Sequence, residues 1–300
     1  MTLRPAAMMK IEELTALDAA GFIAGCGETE AEYLDRVSGI RAAHADFLDR
    51  LQTSGSAEAL AGLTVKSEDA IPAEFYDGPA EITRNLYGFE VRHVPGFFLS
   101  RKVGLLWGGC LIGDPDLNFS LFLLRGTFRN RKKWLFYSRD ELLAHELCHS
   151  ARQSLGEVTL EEYFAYQTSP SKLRRNLGNC FIRDRDAVLF VLPSLLLMLA
   201  ELAHSFLFPD FPAWIFWILA LIYPIYLLIR NQVSLNLVKQ AKKALGRCGT
   251  AEPLAVLFRC TREELETVAG FTSPDELRAF ADARAQKEVR WLIIRERFLP

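Results

Sequence analysis

The chain has 300 residues, half of them hydrophobic, with a formal charge of −2 and a pI near 6.3. It has no Lys/Arg tract with interleaved aromatics, which argues against a nucleic-acid-binding protein, so we predict no nucleic acid partner. The six cysteines lack C-x-x-C spacing and predict free thiols in a reducing compartment rather than a disulfide framework.

The first part of the chain, residues 1–60, is predicted to be a helical region. Met1–Lys10 has no long apolar run, so we expect no signal peptide. Two helices are expected in the range 11–53. Thr29 and Glu32 have the spacing of a capping box at the start of the second helix. A short helical piece is expected before Leu60.

The next part, residues 61–182, is predicted to contain a catalytic domain. Up to residue 101 its signals are mainly turns, among them Asp77-Gly78-Pro79. Short β-rich runs follow and predict a small sheet, with strands at Phe97–Leu99, Val103–Trp107, Asn118–Leu124 and Trp134–Tyr137. Gly113–Asp116 is expected to be a loop between two of these strands.

The main chemical motif is His145-Glu146-Leu147-Cys148-His149, which has the form H-E-x-x-H. Residues four apart share one face of a helix, so both histidines could bind one Zn²⁺, and Glu146 could take a proton from a metal-bound water. Ser138 and Glu141 have capping-box spacing at the start of this helix. Gly156 is expected to follow its end at Leu155. Cys148 is expected to be a small buried residue.

A second helix is predicted to begin at Thr159 and to fold back on the first. This arrangement can bring a carboxylate to the open side of a site with two histidines, and catalytic zinc has three protein ligands. The carboxylate of Glu162 could serve only as the partner of Thr159 in a capping box, without binding a metal.

H-E-x-x-H followed by a helix with E-x-x-A, here Glu162–Ala165, resembles the gluzincin metalloproteases. It is most similar to membrane-embedded peptidases of the CAAX prenyl protease type. The resemblance covers residues 138–169. It implies a helix-rich α+β, zincin-like catalytic domain, with Zn²⁺ held by His145, His149 and Glu162 and with Glu146 as general base. Glu161 is the fallback metal ligand.

The chain departs from these relatives at Tyr166, which stands where they carry an aspartate that orients a histidine ligand. Either Tyr163 or Tyr166 is a candidate to stabilise an oxyanion, and the helical spacing does not choose between them. Arg152 is expected either to bind a substrate carboxylate or to pair with Glu161 or Glu157.

Residues 183–232 are predicted to form a transmembrane helical hairpin. Ala187–Phe208 and Ala213–Ile229 rise about 33 Å and about 26 Å as helices. Basic residues flank both ends and the tip has none, so the catalytic domain and both termini are expected to be cytoplasmic. A buried hairpin in a soluble protein is the alternative. Glu201 and His204 have either a functional role or a snorkelling or helix-pairing role.

Residues 233–300 are predicted to be a cytoplasmic helical region. Val233–Leu245 is expected to prolong the second span. Further helices are expected to start at Thr261 and Ser273, the last one continuing to Phe298.

These features together predict a membrane-anchored zinc-dependent metallopeptidase that hydrolyses peptide bonds near the cytoplasmic face. The expected partners are the lipid bilayer and a polypeptide substrate beside it. The alternative is a non-catalytic membrane adaptor with a structural or vestigial zinc site. The sequence identifies neither the substrate nor the oligomeric state.

Overall fold

The computed structural model describes residues 10–99, 103–105, 107–114 and 118–300. The segment 1–9, in which no signal peptide was expected, and residues 115–116 of the expected loop at 113–116 lie outside these residues. Gly113 and Asp114 belong to a strand, so this half of the loop prediction is wrong. The described chain is helix-rich with small sheets, as predicted. Its α-helices are α1 (Ile11–Ala19), α2 (Glu30–Ser54), α3 (Asp77–Tyr87), α4 (Arg139–Arg152), α5 (Glu161–Tyr166), α6 (Lys172–Leu177), α7 (Asp184–Phe206), α8 (Trp214–Arg247), α9 (Pro253–Phe258), α10 (Arg262–Ala269), α11 (Pro274–Ala285) and α12 (Val289–Phe298).

The strands form one three-stranded sheet and two short hairpins. They are β1 (Ser56–Glu58), β2 (Thr64–Lys66), β3 (Gly96–Leu99), β4 (Gly109–Asp114), β5 (Phe119–Arg125), β6 (Lys133–Trp134) and β7 (Tyr137–Ser138). The sheet has the order β3-β5-β4, with β3 parallel and β4 antiparallel to β5. β1 pairs with β2, and β6 pairs with β7.

The sheet lies between α2 and α4 because β5 is apolar on both faces. Its odd-numbered residues from 119 to 123 pack in one cluster with Phe47 of α2. Phe122 and Leu124 point to the opposite face and pack with Leu143 of α4. Successive residues of a strand point to opposite faces, which accounts for this alternation. The arrangement fixes α4 directly against the sheet.

Several helix boundaries agree with the sequence signals. The Thr29–Glu32 capping box is present, Thr261 caps α10 in the same way, and the Ser273 side chain caps α11. Gly156 adopts a left-handed conformation, with φ +63°, after a short 3₁₀ turn at Gln153–Leu155. A Cβ is disfavoured in that conformation, so glycine suits this reversal.

Two predicted caps are wrong. Ser138 precedes α4 with the extended backbone of a cap residue, but its side chain makes no capping bond. Helix α5 begins at Glu161 rather than Thr159. The Glu157 carboxylate accepts hydrogen bonds from the backbone N–H groups of Thr159 and Arg262, and this holds the preceding residues in a loop.

Four other segments differ from prediction. The single strand expected at Trp134–Tyr137 is a hairpin, in which Lys133–Trp134 pairs with Tyr137–Ser138. The described residues of Val103–Trp107 are not a strand, and the edge strand is β4, which begins at Gly109. The turn expected at Asp77-Gly78-Pro79 is the first turn of α3, where proline is tolerated because its missing N–H has no helical partner. The piece before Leu60 is β1, since Ala57 pairs with Val65.

The last predicted helix is two helices, α11 and α12. The chain turns between them because Glu288 N–H donates to the Arg284 carbonyl, and Val289 N–H donates to the Glu28 carbonyl from the N-terminal region. This second bond comes from a distant part of the chain, so it has no local sequence signal.

Helices α7 and α8 are long and apolar enough to cross a membrane, and most of their apolar stretches are exposed. Trp217 donates to the Glu201 carboxylate at 2.7 Å, and His204 Nδ1 lies 3.0 Å from the Phe211 carbonyl oxygen. Glu201 therefore joins the two helices, which agrees with a helix-pairing role.

The predicted prolongation of the second apolar helix is confirmed. Helix α8 continues without a break to Arg247, and Val238, Ala241 and Leu245 are buried in its second half. These side chains belong to the same core cluster as Leu143 of α4. One helix thus connects the apolar hairpin to the core on which the candidate site is built.

Candidate metal centre

The candidate site lies where α5 folds back against α4. His145 and His149 are one helical turn apart on α4, and their Nε2 atoms are 3.2 Å apart. Glu162 of α5 places one carboxylate oxygen 3.6 Å from His145 Nε2 and the other 3.4 Å from His149 Nε2. Three potential ligand atoms therefore converge within 4.8 Å, and the group could hold a metal ion.

Burial and charge give the two histidines opposite protonation preferences. Burial, together with the neighbouring His149, lowers the pKa of His145 to about 4. Burial also acts to lower the pKa of His149, but hydrogen bonds to Glu161 and Glu162 outweigh it and raise the pKa to about 10. At neutral pH one imidazole is neutral and the other carries a proton. A metal cation would take the place of that proton.

Glu161 contacts the opposite side of His149 from Glu162. Its Oε2 lies 3.3 Å from His149 Nδ1, while the Arg152 Nε donates to Glu161 Oε1 at 2.8 Å. A carboxylate on the distal imidazole nitrogen fixes the ring orientation of a metal-binding histidine. The geometry therefore suits Glu161 to orienting His149, whereas Glu162 faces the point where the ligand atoms converge.

Arg152 is fully buried, which decides between its two predicted roles. It pairs with Glu161, donates to the Phe258 carbonyl and lies over the Phe164 ring at 4.5 Å. A guanidinium with no solvent access cannot bind a substrate carboxylate. Arg152 instead holds Glu161 in place beside His149.

The two tyrosines of α5 have different surroundings. Tyr166 packs edge-on against His145, with ring centroids 4.6 Å apart, and it lines the cleft beside the site. Burial raises its pKa to about 12, so its phenol keeps its proton. Tyr163 instead packs against the hydrophobic core. His145 also has a hydrogen bond to the Ala165 backbone. At the position where the resembling peptidases carry an aspartate, this chain therefore places the ring of Tyr166 against His145.

Glu146 lies between the ligand group and the edge of the sheet. Burial raises the pKa of its carboxyl, against the effect of His149, and its Oε2 accepts a hydrogen bond from Leu111 N–H at 2.9 Å. Arg125 N–H of β5 donates to the Gly108 carbonyl, so Gly108 and every second residue after it face β5. The residues between them, Gly109, Leu111 and Gly113, direct their backbone N–H and C=O groups away from β5. Among the described residues, β4 is therefore an edge strand of the sheet next to Glu146, with Leu111 N–H bound to that carboxylate.

A cleft of about 280 Å³ opens beside His145 and Glu146. Its walls come from the start of β4, from β7, from the first half of α4 and from the segment after α5. They include Trp107, Gly108, Tyr137, Leu142, Thr168 and Arg174. Gly109 is required at the edge of the sheet, because a Cβ there would lie 2.6 Å from the Leu123 carbonyl oxygen.

Sequence reasoning missed the roles of three residues at this site, although it had named Glu161 as a fallback metal ligand. Leu111 uses only its backbone, and Glu161 orients His149 through a fold-back that spacing does not specify. Arg174 forms a salt bridge with Glu141 at 2.7 Å on the cleft wall, although its sequence position indicated only a basic flank of the hairpin. The one available signal was the suggested pairing of Arg152 with Glu161.

No protein-family model, curated protein or solved structure matches this chain. The function of the site is therefore inferred from its own geometry and chemistry.

Proposed function

We propose that the chain is a membrane-anchored zinc-dependent metallopeptidase. The observation that carries this proposal is the convergence of His145, His149 and Glu162 beside the buried carboxyl of Glu146. Two imidazole nitrogens and one carboxylate oxygen are a ligand set of catalytic zinc sites, which leave a position for water. In the described part of the chain no fourth histidine, cysteine or carboxylate joins this group, which favours a catalytic site over a closed structural one.

Bound Zn²⁺ would polarise the scissile carbonyl and make a water molecule more acidic. Glu146 accepts the proton of the attacking water and returns it to the leaving amine. Its raised pKa suits this exchange, because general acid–base catalysis is most efficient when the pKa lies near the working pH. Tyr166 is the candidate donor to the oxyanion, since it lines the cleft and stays protonated.

The position of β4 at the edge of the sheet supports a polypeptide substrate. Its outward backbone groups can pair with an extended chain by β-augmentation, which binds a peptide without requiring a particular sequence. Leu111 N–H already binds Glu146 on this edge. A substrate aligned along β4 would therefore pass directly beside the general base. This is the observation that favours a peptide over a small-molecule substrate.

The hairpin of α7 and α8 serves as the membrane anchor in this proposal, with the catalytic domain and both termini in the cytoplasm. Its flanks carry the basic residues and its tip has none. A cysteine placed at Asp210 should label only from the non-cytoplasmic side, whereas cysteines at Ser67 and Ser273 should label from the cytoplasm. Labelling of all three from one side would exclude the proposed topology.

The decisive test of the mechanism is Glu146→Gln in the full-length protein. We expect this variant to keep its zinc and lose peptide hydrolysis, because Glu146 is a base and not a ligand. Glu266→Gln, the same change at an exposed position, should leave both zinc content and hydrolysis unchanged. Full activity in Glu146→Gln would rule out the mechanism.

A further inference from the structure

The turn between β6 and β7 has an unusual composition for an exposed turn. Its two residues, Leu135 and Phe136, are large and apolar, and both are more than half exposed. Leu135 also has φ +50°, a conformation that favours glycine or asparagine. Exposed turns usually carry small polar residues. Two exposed apolar side chains on a short hairpin therefore indicate contact with something outside the chain.

Helix α6 extends this apolar surface. Leu173 and Leu177 are four residues apart, so they share one face, and both are exposed. Arg174, between them, donates to the Phe136 carbonyl, and its guanidinium lies over the Phe136 and Tyr137 rings at 5.5 and 5.4 Å. Helix α6 and the β6–β7 turn are thus joined into one surface by Arg174.

Two further exposed apolar residues border this surface. The Leu105 carbonyl accepts a hydrogen bond from the Trp134 indole of β6. Phe181, which follows α6, packs edge-on against Phe190 of α7 at 5.5 Å. The apolar surface therefore continues onto the side of the first apolar helix.

The same surface also contacts α8 at residues 228–231, where its apolar stretch ends. Asn231 of α8 donates to the Asn176 carbonyl of α6 at 2.6 Å, and Arg230 donates to the Cys180 carbonyl at 2.6 Å. Leu177 lines one cavity with Leu228 and Ile229 of α8. If α7 and α8 cross a bilayer, these contacts place α6 at its surface.

The charge of the two segments matches an anionic lipid surface. Residues 131–137 contain three basic residues and no acidic one, and residues 172–183 contain four basic residues and no acidic one. Lysines and arginines near anionic headgroups each strengthen membrane association about fivefold. Apolar side chains surrounded by basic ones are typical of protein segments that lie in the interface between headgroups and acyl chains.

We propose that this region is a bilayer-docking surface, formed by Leu105, Leu135, Phe136, Leu173, Leu177 and Phe181. It lies in the headgroup region of an anionic membrane, on the side where the hairpin begins and ends. The proposal rests on the hairpin crossing the membrane, but not on peptidase activity. Because Tyr137 and Arg174 also line the cleft, docking places the cleft mouth at the lipid surface. A substrate that enters there is a polypeptide lying on, or emerging from, the membrane.

The test measures the lipid exposure of single positions in the full-length protein. Cys26, which is exposed, is first replaced by serine, and one cysteine is then introduced for a fluorophore. Leu135→Cys and Leu173→Cys probe the bilayer-docking surface. Leu199→Cys, on an exposed position of α7, is the positive control, and Asp49→Cys, on the exposed side of α2, is the negative control.

Each labelled protein is reconstituted in vesicles of phosphatidylcholine and phosphatidylglycerol, with a quenching spin label on the shallow part of the acyl chains. Docked probes at positions 135 and 173 should lose about half of their fluorescence, since interfacial segments reach ~5–10 Å into this layer. The probe at position 49 should lose none. The loss at 135 should shrink in vesicles of phosphatidylcholine alone, because the basic residues then have no anionic partner.

The outcomes separate this inference from the proposed anchor. Quenching at position 199 without quenching at 135 and 173 would overturn the bilayer-docking surface and leave the anchor intact. Absence of quenching at 199 would overturn both. Cross-linking of Leu135→Cys to a second copy of the chain, without lipid quenching, would assign the surface to an interface between copies and also overturn the inference.

Discussion

Two buried polar clusters in this molecule differ in the balance of their donors and acceptors. In the cluster of α10 and α12, Arg290 donates to both oxygens of Glu264 at 2.7 and 2.8 Å and to Glu288 at 3.1 Å, and the Trp291 indole donates to Glu264 at 2.7 Å. Each carboxylate oxygen in these contacts meets a donor.

The candidate metal centre has the opposite balance. The Nε2 atoms of His145 and His149 and the carboxylate of Glu162 converge on one point, and the only donor among them is the protonated His149. Carboxylates that already meet donors offer little to a ligand, whereas three groups that can all act as acceptors, once His149 loses its proton, could hold a cation. This contrast, more than burial, distinguishes the candidate site from an ionic cluster that only supports the fold.

The largest expected effect breaks the convergence of acceptors. The purified protein should contain about one Zn²⁺ per chain, and either His145→Ala or His149→Ala should abolish it, because two remaining ligands hold zinc poorly. Metal content by mass spectrometry measures this. Glu263→Gln, at an exposed position, is the control and should keep its zinc. Full zinc in both histidine variants would mean that the metal binds elsewhere.

The next effect concerns the cluster of α10 and α12 and its contribution to the free energy of unfolding. Glu264→Gln should lower the free energy of unfolding by about 3–5 kcal/mol, because the buried Arg290 guanidinium loses its charged partner. Zinc per folded chain should not change. Chemical denaturation in detergent measures the stability, with Glu263→Gln as the neighbouring control. A loss of less than about 1 kcal/mol would show that this cluster contributes little to the fold.

A smaller effect separates the two adjacent carboxylates. Glu161→Gln should weaken zinc affinity about 10–100-fold, because it orients His149 without binding the metal. Glu162→Gln should weaken it much more. Competition with a zinc-binding dye measures both, and Glu296→Gln, an exposed control, should match the unmodified protein. Zinc loss in Glu161→Gln combined with normal binding in Glu162→Gln would reverse the assignment.

The smallest effect, up to about tenfold for each pH unit, is the pH dependence of metal binding. The pKa of His149 is raised to about 10, so below that pH zinc must displace its proton. Apparent zinc affinity should therefore rise up to about tenfold per pH unit between neutral pH and pH 10, as measured by titration in buffers of different ionisation enthalpy. His145, whose pKa is lowered to about 4, should contribute no proton in this range. Affinity that is independent of pH would exclude a protonated His149.

The sequence predicted features whose signals are local. The capping boxes at Thr29 and Thr261 lie within single turns, the reversal at Gly156 depends on one residue, and the H-E-x-x-H spacing brings two side chains together on one helix. The long apolar runs likewise predicted two helices able to cross a membrane.

Features set by distant residues were missed. The edge strand β4 begins at Gly109, where close packing against Leu123 and Leu142 requires glycine, and the sequence did not predict a strand there. The division between α11 and α12 depends on Glu28. Such contacts join residues far apart in the chain, so the spacing of apolar and polar residues along the sequence does not predict them.

Helix α8 has a mechanical consequence for the proposed enzyme. Its 34 residues form one helix of about 51 Å, whose first half is mostly exposed and apolar and whose second half packs one face against the core that supports α4. A continuous helix of this kind is stiffer than a flexible linker of the same length. If α7 and α8 cross a bilayer, as proposed, this helix would hold the candidate catalytic groups at a fixed distance from the lipid. The position of the cleaved bond would then be selected by its distance from the membrane as much as by the residues around it.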